Sequence, residues 1–283
     1  MIAFLGTGLL GSNFVRAFRR RGESVHVWNR TPDKARALAL VGATVFASAA
    51  DAVIGAARVH LAVSDDAAVD EVLRQIDAAL PAGSVIVDHT TTAPAPTAER
   101  VRHWIGRGFV FQHAPVFMGP QNALDATGSM LASGDRATFD LVAPALQQMT
   151  GKLVYLGADP ARAASIKLLG NLFLLAMTAG LADVFTLAKA LRVPAADAAQ
   201  MFDWFNPGAV APARAARMRD GIFSDPSWTL AMARKDARLM IESAGANGAN
   251  LALIPAVADE MDRWIAAGHA EDDWMVIGKD AVT

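Results

Sequence analysis

The sequence predicts an α/β fold: a doubly wound, mainly parallel sheet, then an all-helical C-terminal domain, the two joined by a long helix. Three observations predict it. Short apolar runs take turns with helical patterns from the first residue to about position 110. Strand signals stop after Gly157. A single pattern, apolar on nearly every side, then covers Ala161–Leu191. A chain of 283 residues has room for two cores. The expected domains are 1–160, a nucleotide-binding α/β unit, and 161–283, an all-α unit.

The elements follow in order. Ile2–Leu5, Ser24–Trp28, Thr44–Phe46, Arg58–Val63, Ser84–Val87 and Phe109–Gln112 read as strands. Between them lie helical patterns at Leu9–Arg21, Pro32–Val41, Ser48–Gly55, Ala67–Leu80 and Pro94–Gly106. Thr31-Pro32 and Ser48 are helix-start signals, and Gly83 and Gly108 stand where helices end. Strands at Ser129–Ala132 and Leu153–Leu156 flank a helix at Arg136–Met149. The uniformly apolar Ala161–Leu191 pattern predicts a helix buried all round. Its uncharged run, Leu168–Ala182, is shorter than the ~18 residues a membrane span needs. Four more helical patterns follow: Ala195–Phe205, Val210–Asp220, Thr229–Ala244 and Ile254–Ala267.

The first strand runs directly into Gly6-Thr7-Gly8-Leu9-Leu10-Gly11, a G-x-G-x-x-G turn followed by a helix. That setting makes the turn a dinucleotide-binding, Rossmann-type signature. Gly6 allows the tight turn, Gly8 lets the backbone approach a pyrophosphate, and Gly11 lets the helix lie close on the strand. The helix N-terminus offers free N–H groups to the phosphates. An NAD-binding chain usually ends its second strand with Asp or Glu, which holds the ribose 2′-OH. Here Asn29-Arg30-Thr31 stands in that place, with Lys34 nearby. A guanidinium and a hydroxyl suit a 2′-phosphate, so NADP, with NADPH preferred over NADH, is the expected cofactor. Val63 and Ser64, at the end of the fourth strand, are expected on the adenosine side. Asp65 and Asp66 read as helix caps.

Composition removes several function classes. A net charge of −2 offers no electrostatic footprint for nucleic acid or for an anionic membrane. The absence of cysteine excludes disulfides and thiolate catalysis. The six histidines lack ligand spacing, so no metal is expected. No targeting segment is visible, and a cytoplasmic enzyme with a small-molecule substrate is the expectation.

Four further segments, in order, give the chain a resemblance to the β-hydroxyacid dehydrogenase family, part of the 6-phosphogluconate dehydrogenase superfamily. This family includes 3-hydroxyisobutyrate dehydrogenases and glyoxylate or succinic semialdehyde reductases. Asp88-His89-Thr90-Thr91-Thr92-Ala93-Pro94 resembles its D-x-S-T-x-x-P loop, Ala114-Pro115-Val116 the start of its A-P-V-S-G-G segment, Lys167-Leu168-Leu169-Gly170-Asn171 its K-x-x-x-N, and Lys235-Asp236 a late K-D pair. The resemblance implies hydride transfer between NADP(H) and a hydroxyacid, aldehyde or keto acid. It assigns the proton to Lys167 and implies a homodimer. Asn171, one helical turn from Lys167, would hold the substrate oxygen or orient the ammonium. Thr91 and Lys235 would lie near the nicotinamide, and Thr90 would face the substrate. Asp183 lies roughly 160° around the helix from Lys167 and is expected to be structural.

Phe117-Met118-Gly119 departs from the family, which usually carries Ser-Gly-Gly there to cradle a carboxylate. His113 likewise replaces a frequent aspartate. Three readings follow for Phe117, Met118 and Gly119: a larger or less polar substrate, a carboxylate seated elsewhere, or backbone N–H groups that still hold a carboxylate while Phe117 packs inward. An imine reductase shares this architecture and is the alternative function, although such relatives usually lack the lysine. A non-catalytic dinucleotide-binding protein is the further alternative. Phe202, Trp204 and Phe205 read as core or dimer contact.

Overall fold

Residues 1–282 are described here from a computed structural model. Six parallel strands form the main sheet: β1 (Ile2–Leu5), β2 (Val25–Trp28), β3 (Thr44–Val45), β4 (Arg58–Leu61), β5 (Val85–Asp88) and β6 (Val110–His113). Their order is β3-β2-β1-β4-β5-β6, so the winding reverses between β1 and β4. Ligands of such sheets bind outside the carboxyl ends of the strands at that reversal. All four residues of β1 are buried. Ile2 and Phe4 enter one core with Phe14, Phe18 and Val27, while Ala3 and Leu5 enter the other with Val69, Ile86 and Trp104. Side chains alternate across a strand, and helices cover both faces, so the strand reads as an unbroken apolar run.

The helices of this layer are α1 (Leu9–Arg20), α2 (Pro32–Arg36), α3 (Ala49–Val53), α4 (Asp66–Ile76) and α5 (Pro94–Gly106). Ser48 caps α3 by accepting from the Asp51 N–H, and Asp65 caps α4 by accepting from Ala68. Thr31 precedes Pro32 as expected, but its hydroxyl makes no cap bond.

A second sheet, of order β7-β8-β9, follows: β7 (Val116–Phe117), β8 (Ser129–Ala132) and β9 (Lys152–Tyr155). β7 is antiparallel to β8, and β8 is parallel to β9. Helix α6 (Pro120–Asp125) and helix α7 (Arg136–Gln147) belong to this part. The sequence pattern does not reveal β7 or α6, because neither is long enough to show a period.

Helix α8 (Arg162–Ala190) carries the division into two compact units, Met1–Asn171 and Leu172–Thr283, which falls later than residue 160. The start of α8 belongs to the first unit for a physical reason. The hydroxyl of Ser133, next to β8, accepts from the Ala163 N–H at 2.9 Å and satisfies an otherwise free helix-end donor.

The second unit contains the rest of α8, α9 (Ala195–Trp204), α10 (Ala211–Arg219), α11 (Leu230–Gly245) and α12 (Ile254–Ala266). Its core is built from Phe223, Leu230, Ala237, Met261, Trp264 and Val276. Asp183 is structural, as expected. Its carboxylate accepts from the backbone N–H groups of Ala252, Leu253 and Ile254 and so caps α12. Burial pushes this carboxyl up, but the three donors outweigh that and hold it below the usual range.

One expectation is corrected. Helix α8 is not buried all round: Leu172, Phe173 and Leu175 are 66%, 61% and 70% exposed, and Leu169 and Leu174 are exposed as well. Trp204 and Phe205 are also exposed rather than core. The pattern reports the need for apolar cover, and one copy of the chain does not provide it. By length and composition alone, α8 is long and apolar enough to cross a membrane.

Candidate active site

The glycine turn forms the floor of a cleft of about 590 Å³ at the β1–β4 reversal. Gly6 has φ +98°, and a Cβ there would stand 2.3 Å from the carbonyl oxygen of Ala62, just beyond β4. A Cβ on Gly11 would stand 2.0 Å from the Gly6 oxygen, so glycine is required where α1 crosses the strand end. At Gly8 nothing of the protein lies within 4 Å of the Cβ position. That open side at the start of α1 is what a pyrophosphate needs to reach the helix N-terminus.

The cleft brings together Gly6, Gly8, Asn29, Arg30, Thr31, Lys34, Val63 and Ser64. Its remaining wall includes Trp28 and the α4 face bearing Glu71 and Gln75, which the sequence reading did not single out. The i, i+4 spacing of Glu71 and Gln75 is the signal that could have found them. Arg30, Thr31 and Lys34 are exposed at the rim. The volume, the open glycine and the cationic rim fit the adenosine phosphate end of a nicotinamide dinucleotide.

The other expected cofactor residues are placed as follows. The Asn29 side chain accepts from the Thr7 N–H at 2.8 Å and donates to the Thr31 carbonyl at 2.9 Å, so it holds the turn in shape. Thr7 is buried. Leu10 packs on the first core, and Leu9 is 80% exposed at the start of α1. Thr91, beyond β5, is partly exposed, and among the described residues its hydroxyl has no protein partner. Lys235 lies in the second unit, where its ammonium pairs with Asp236 at 2.8 Å.

Thr90, expected to face the substrate, has partners within the protein. It is buried; its hydroxyl accepts from the Val63 N–H at 3.1 Å, and its own N–H donates to the Asp88 carboxylate at 2.9 Å. Asp88 is buried beside His113, Oδ2 to Nδ1 3.4 Å. Burial pushes the Asp88 carboxyl up, but bonds from His113 and Thr90 outweigh this and keep it below the usual range.

A buried relay fixes the next segment. Arg58 Nε donates to His60 Nε2 at 2.6 Å. His60 Nδ1 lies 2.9 Å from His89 Nε2, and His89 Nδ1 lies 2.8 Å from the Ala114 carbonyl oxygen. The carbonyl can only accept, so His89 carries its proton on Nδ1, His60 does the same, and both rings are neutral. Burial pushes His89 down to about 4 and His60 well below the ordinary histidine value. The relay ties β4 and the end of β5 to Ala114, the first residue of the segment that leads to Phe117.

Phe117 and Lys167 meet within the first unit. The ammonium of Lys167 lies 4.4 Å from the Phe117 ring centroid, a cation–π contact of roughly 0.5–2 kcal/mol. Among the described residues this ammonium has no hydrogen-bond or ion-pair partner. Burial lowers its pKa below the ordinary lysine value. The ring reaches it because β7 pairs Phe117 with Ser129, and because a Cβ on Gly128 would stand 2.9 Å from the Phe117 carbonyl oxygen. Gly170 leaves room for the ring on α8. A glycine in mid-helix costs about 1 kcal/mol relative to alanine, a signal of close approach that the sequence reading passed over. Asn171, one turn beyond Lys167, is partly exposed, and its amide has no protein partner among the described residues. Gly119 is exposed, and its N–H donates to the Asn122 side chain at 2.9 Å. Met118 is partly buried against the first core. No cluster of three potential metal ligands occurs among the described residues.

The arrangement therefore comprises a nucleotide cleft and, in the same unit, a half-buried, unpaired ammonium beside a free amide. Comparisons with known proteins agree with its outline. Residues 1–157 match the NAD binding domain of 6-phosphogluconate dehydrogenase, and residues 159–281 match the NADPH-dependent reductive aminase-like C-terminal domain. A probable 3-hydroxyisobutyrate dehydrogenase of Mycobacterium tuberculosis is 27% identical over 98% of this chain and 96% of its own length. An imine reductase of Streptomyces aurantiacus is 26% identical with a TM-score of 0.87, covering 99% of both chains. An imine reductase of Myxococcus stipitatus in complex with NADP+ superposes with a TM-score of 0.92 at 19% identity, again over 99% of both chains, and shares the fold.

Proposed function

The chain belongs to the β-hydroxyacid dehydrogenase family, with the NAD-binding domain of 6-phosphogluconate dehydrogenase, and from that premise we propose that it is an NADP(H)-dependent reductase with Lys167 as the proton donor. The observation that carries the proposal is the half-buried Lys167 ammonium, which has no anionic partner among the described residues. A structural lysine at such a depth would be paired, because an unpaired buried charge is costly.

When bound, the reduced nicotinamide supplies the hydride. The residues of the chain do the rest. Gly6, Gly8 and the start of α1 receive the pyrophosphate, and Arg30, Thr31 and Lys34 receive the 2′-phosphate. Lys167 in its ammonium form donates to the substrate atom that gains electrons. Asn171 holds that atom from the adjacent turn. Substrate reduction is assayed with NADPH and with Lys167→Ala. Turnover should fall at least 10³-fold, within the range that general acid–base catalysis contributes, while NADPH binding is retained. Unchanged turnover would remove Lys167 from the chemistry.

The alternative, a reductase of C=N compounds, is favoured by one specific observation: the C-terminal domain matches the reductive aminase-like model. Lys167 can protonate a nitrogen as well as an oxygen, so the same residues serve either bond. The apolar surface of α8 supports a homodimer in which a second copy covers Leu172, Phe173 and Leu175.

A further inference from the structure

We propose that Phe117 selects the substrate, and that it selects a carbonyl or imine compound whose group beside the reacting carbon is apolar and uncharged, not a carboxylate. The proposal rests on Lys167 being the proton donor.

Three positions at the end of β7 stand where a carboxylate could be held, and none brings a side-chain donor. The Phe117 ring lies against the Lys167 ammonium at 4.4 Å. The Met118 side chain packs on the first core. The Gly119 N–H already donates to Asn122 Oδ1 at 2.9 Å, and Asn122 is itself held, its Nδ2 donating to the Thr127 hydroxyl at 2.9 Å. Of the neighbouring loop's hydroxyls, Thr90 is buried with its oxygen on the Val63 N–H, and Thr92 is buried against the Thr97 hydroxyl. A carboxylate placed against the face of Phe117 would meet negative charge density and gain no hydrogen bond from the ring in exchange for its hydration. Beside the ring its cationic partner would be Lys167, which would divert the ammonium from the reacting atom. A neutral carbonyl or imine makes a smaller demand. Lys167 and Asn171 provide donors for the single polar atom, and Phe117 provides an apolar wall for the flank.

The fold places the ring here. β7 pairing sets the backbone of Phe117, Gly128 allows its carbonyl to approach, and the bare Gly170 leaves the space its ring fills.

The test uses matched probes with NADPH: pyruvate against methyl pyruvate, and glyoxylate against methyl glyoxylate. 3,4-Dihydroisoquinoline serves as a cyclic imine. The expected result is a kcat/KM at least tenfold higher for each ester than for its acid. Phe117→Ser should reduce that preference at least tenfold, mainly through a lower KM for the acid. Phe117→Leu, which keeps an apolar wall, should retain the preference and shows that loss of folding is not the cause. An acid preferred by the unmodified protein, or an ester-to-acid ratio unmoved by Phe117→Ser, overturns the proposal. In that case an inactive Lys167→Ala leaves the reductase reading standing. Failure to turn over any of the probes, imine included, overturns both.

Discussion

A Cβ on residue 170 would stand 2.3 Å from Cζ of Phe117, so the Phe117 ring occupies the space that any residue but glycine would need at position 170. This makes Gly170 a positioning residue for the ring over Lys167. Gly170→Ala should change stability little. Alanine in a helix gains roughly 0.5–1 kcal/mol over glycine, which offsets the displacement of a ring that can rotate away. The kinetic effect should be larger. Moving a neighbour of the acid by about an ångström is expected to lower kcat/KM roughly 10- to 100-fold. Thermal unfolding and steady-state kinetics on the same preparation separate the two effects. Full activity in the alanine variant would mean the ring has no influence on Lys167.

How much was legible before the fold was known depended on the length of each signal. The G-x-G-x-x-G turn was readable because each glycine meets a separate demand: Gly6 a positive φ, Gly8 an open face, Gly11 a close crossing. Asp183 was readable as structural from helical phase alone. The bond of Thr90 to Val63 was not legible, because the pattern places its loop at the strand end but does not show where the hydroxyl turns. The burial of α8 was misread because periodicity states that a surface must be covered, without saying that the same chain covers it. Phe117 was visible as a departure from the family. Its partners Lys167, Gly170 and Gly128 come together only through β7, a strand too short to leave a pattern.

The His60–His89 pair should make stability depend on pH. Both rings are neutral when folded, with His89 lowered to about 4 and His60 well below its ordinary value, mainly by burial. Unfolded, each titrates near 6.5. Between those values the unfolded chain binds more protons than the folded one. The stability from these groups is therefore complete above about pH 6.5 and is lost as the pH falls toward 4. The slope can reach roughly 1.4 kcal/mol per pH unit for each ring. Urea unfolding at pH 7, 6 and 5 should show the decline, and a His60→Phe/His89→Asn double variant should flatten it. An equal slope in both proteins would assign the acid sensitivity to other groups.

Arg30 should govern cofactor choice. It stands exposed on the cleft rim, where the usual acidic partner of a ribose hydroxyl is missing. Its charge also helps to hold the Asp65 carboxyl below the usual range, after the larger effects of the Ala68 N–H and Ser64. A charge-assisted bond to a phosphate contributes roughly 1.5–3 kcal/mol, or about 10- to 100-fold in affinity. Arg30→Ala should weaken NADPH by that factor and NADH by less than threefold, as read by quenching of intrinsic fluorescence. Equal losses for both would remove the 2′-phosphate as the partner of Arg30.

The exposed face of α8 gives the last prediction. Covering a leucine fully is worth roughly 1.5–3 kcal/mol, so Leu172, Phe173 and Leu175 together hold enough apolar surface to drive association. If a second copy supplies the cover through a two-fold axis, one substitution enters the interface twice. Leu172→Glu would then place a carboxylate on each side in apolar surroundings. A shift in dimer Kd of at least 100-fold, about 2.7 kcal/mol, is expected. Light scattering across nanomolar to micromolar protein should report a dimer for the unmodified chain and a monomer for the variant. An unmodified chain that stays monomeric throughout would contradict the homodimer. Flotation with phosphatidylcholine vesicles would then test the remaining reading of α8, since its length and hydropathy alone also suit a membrane.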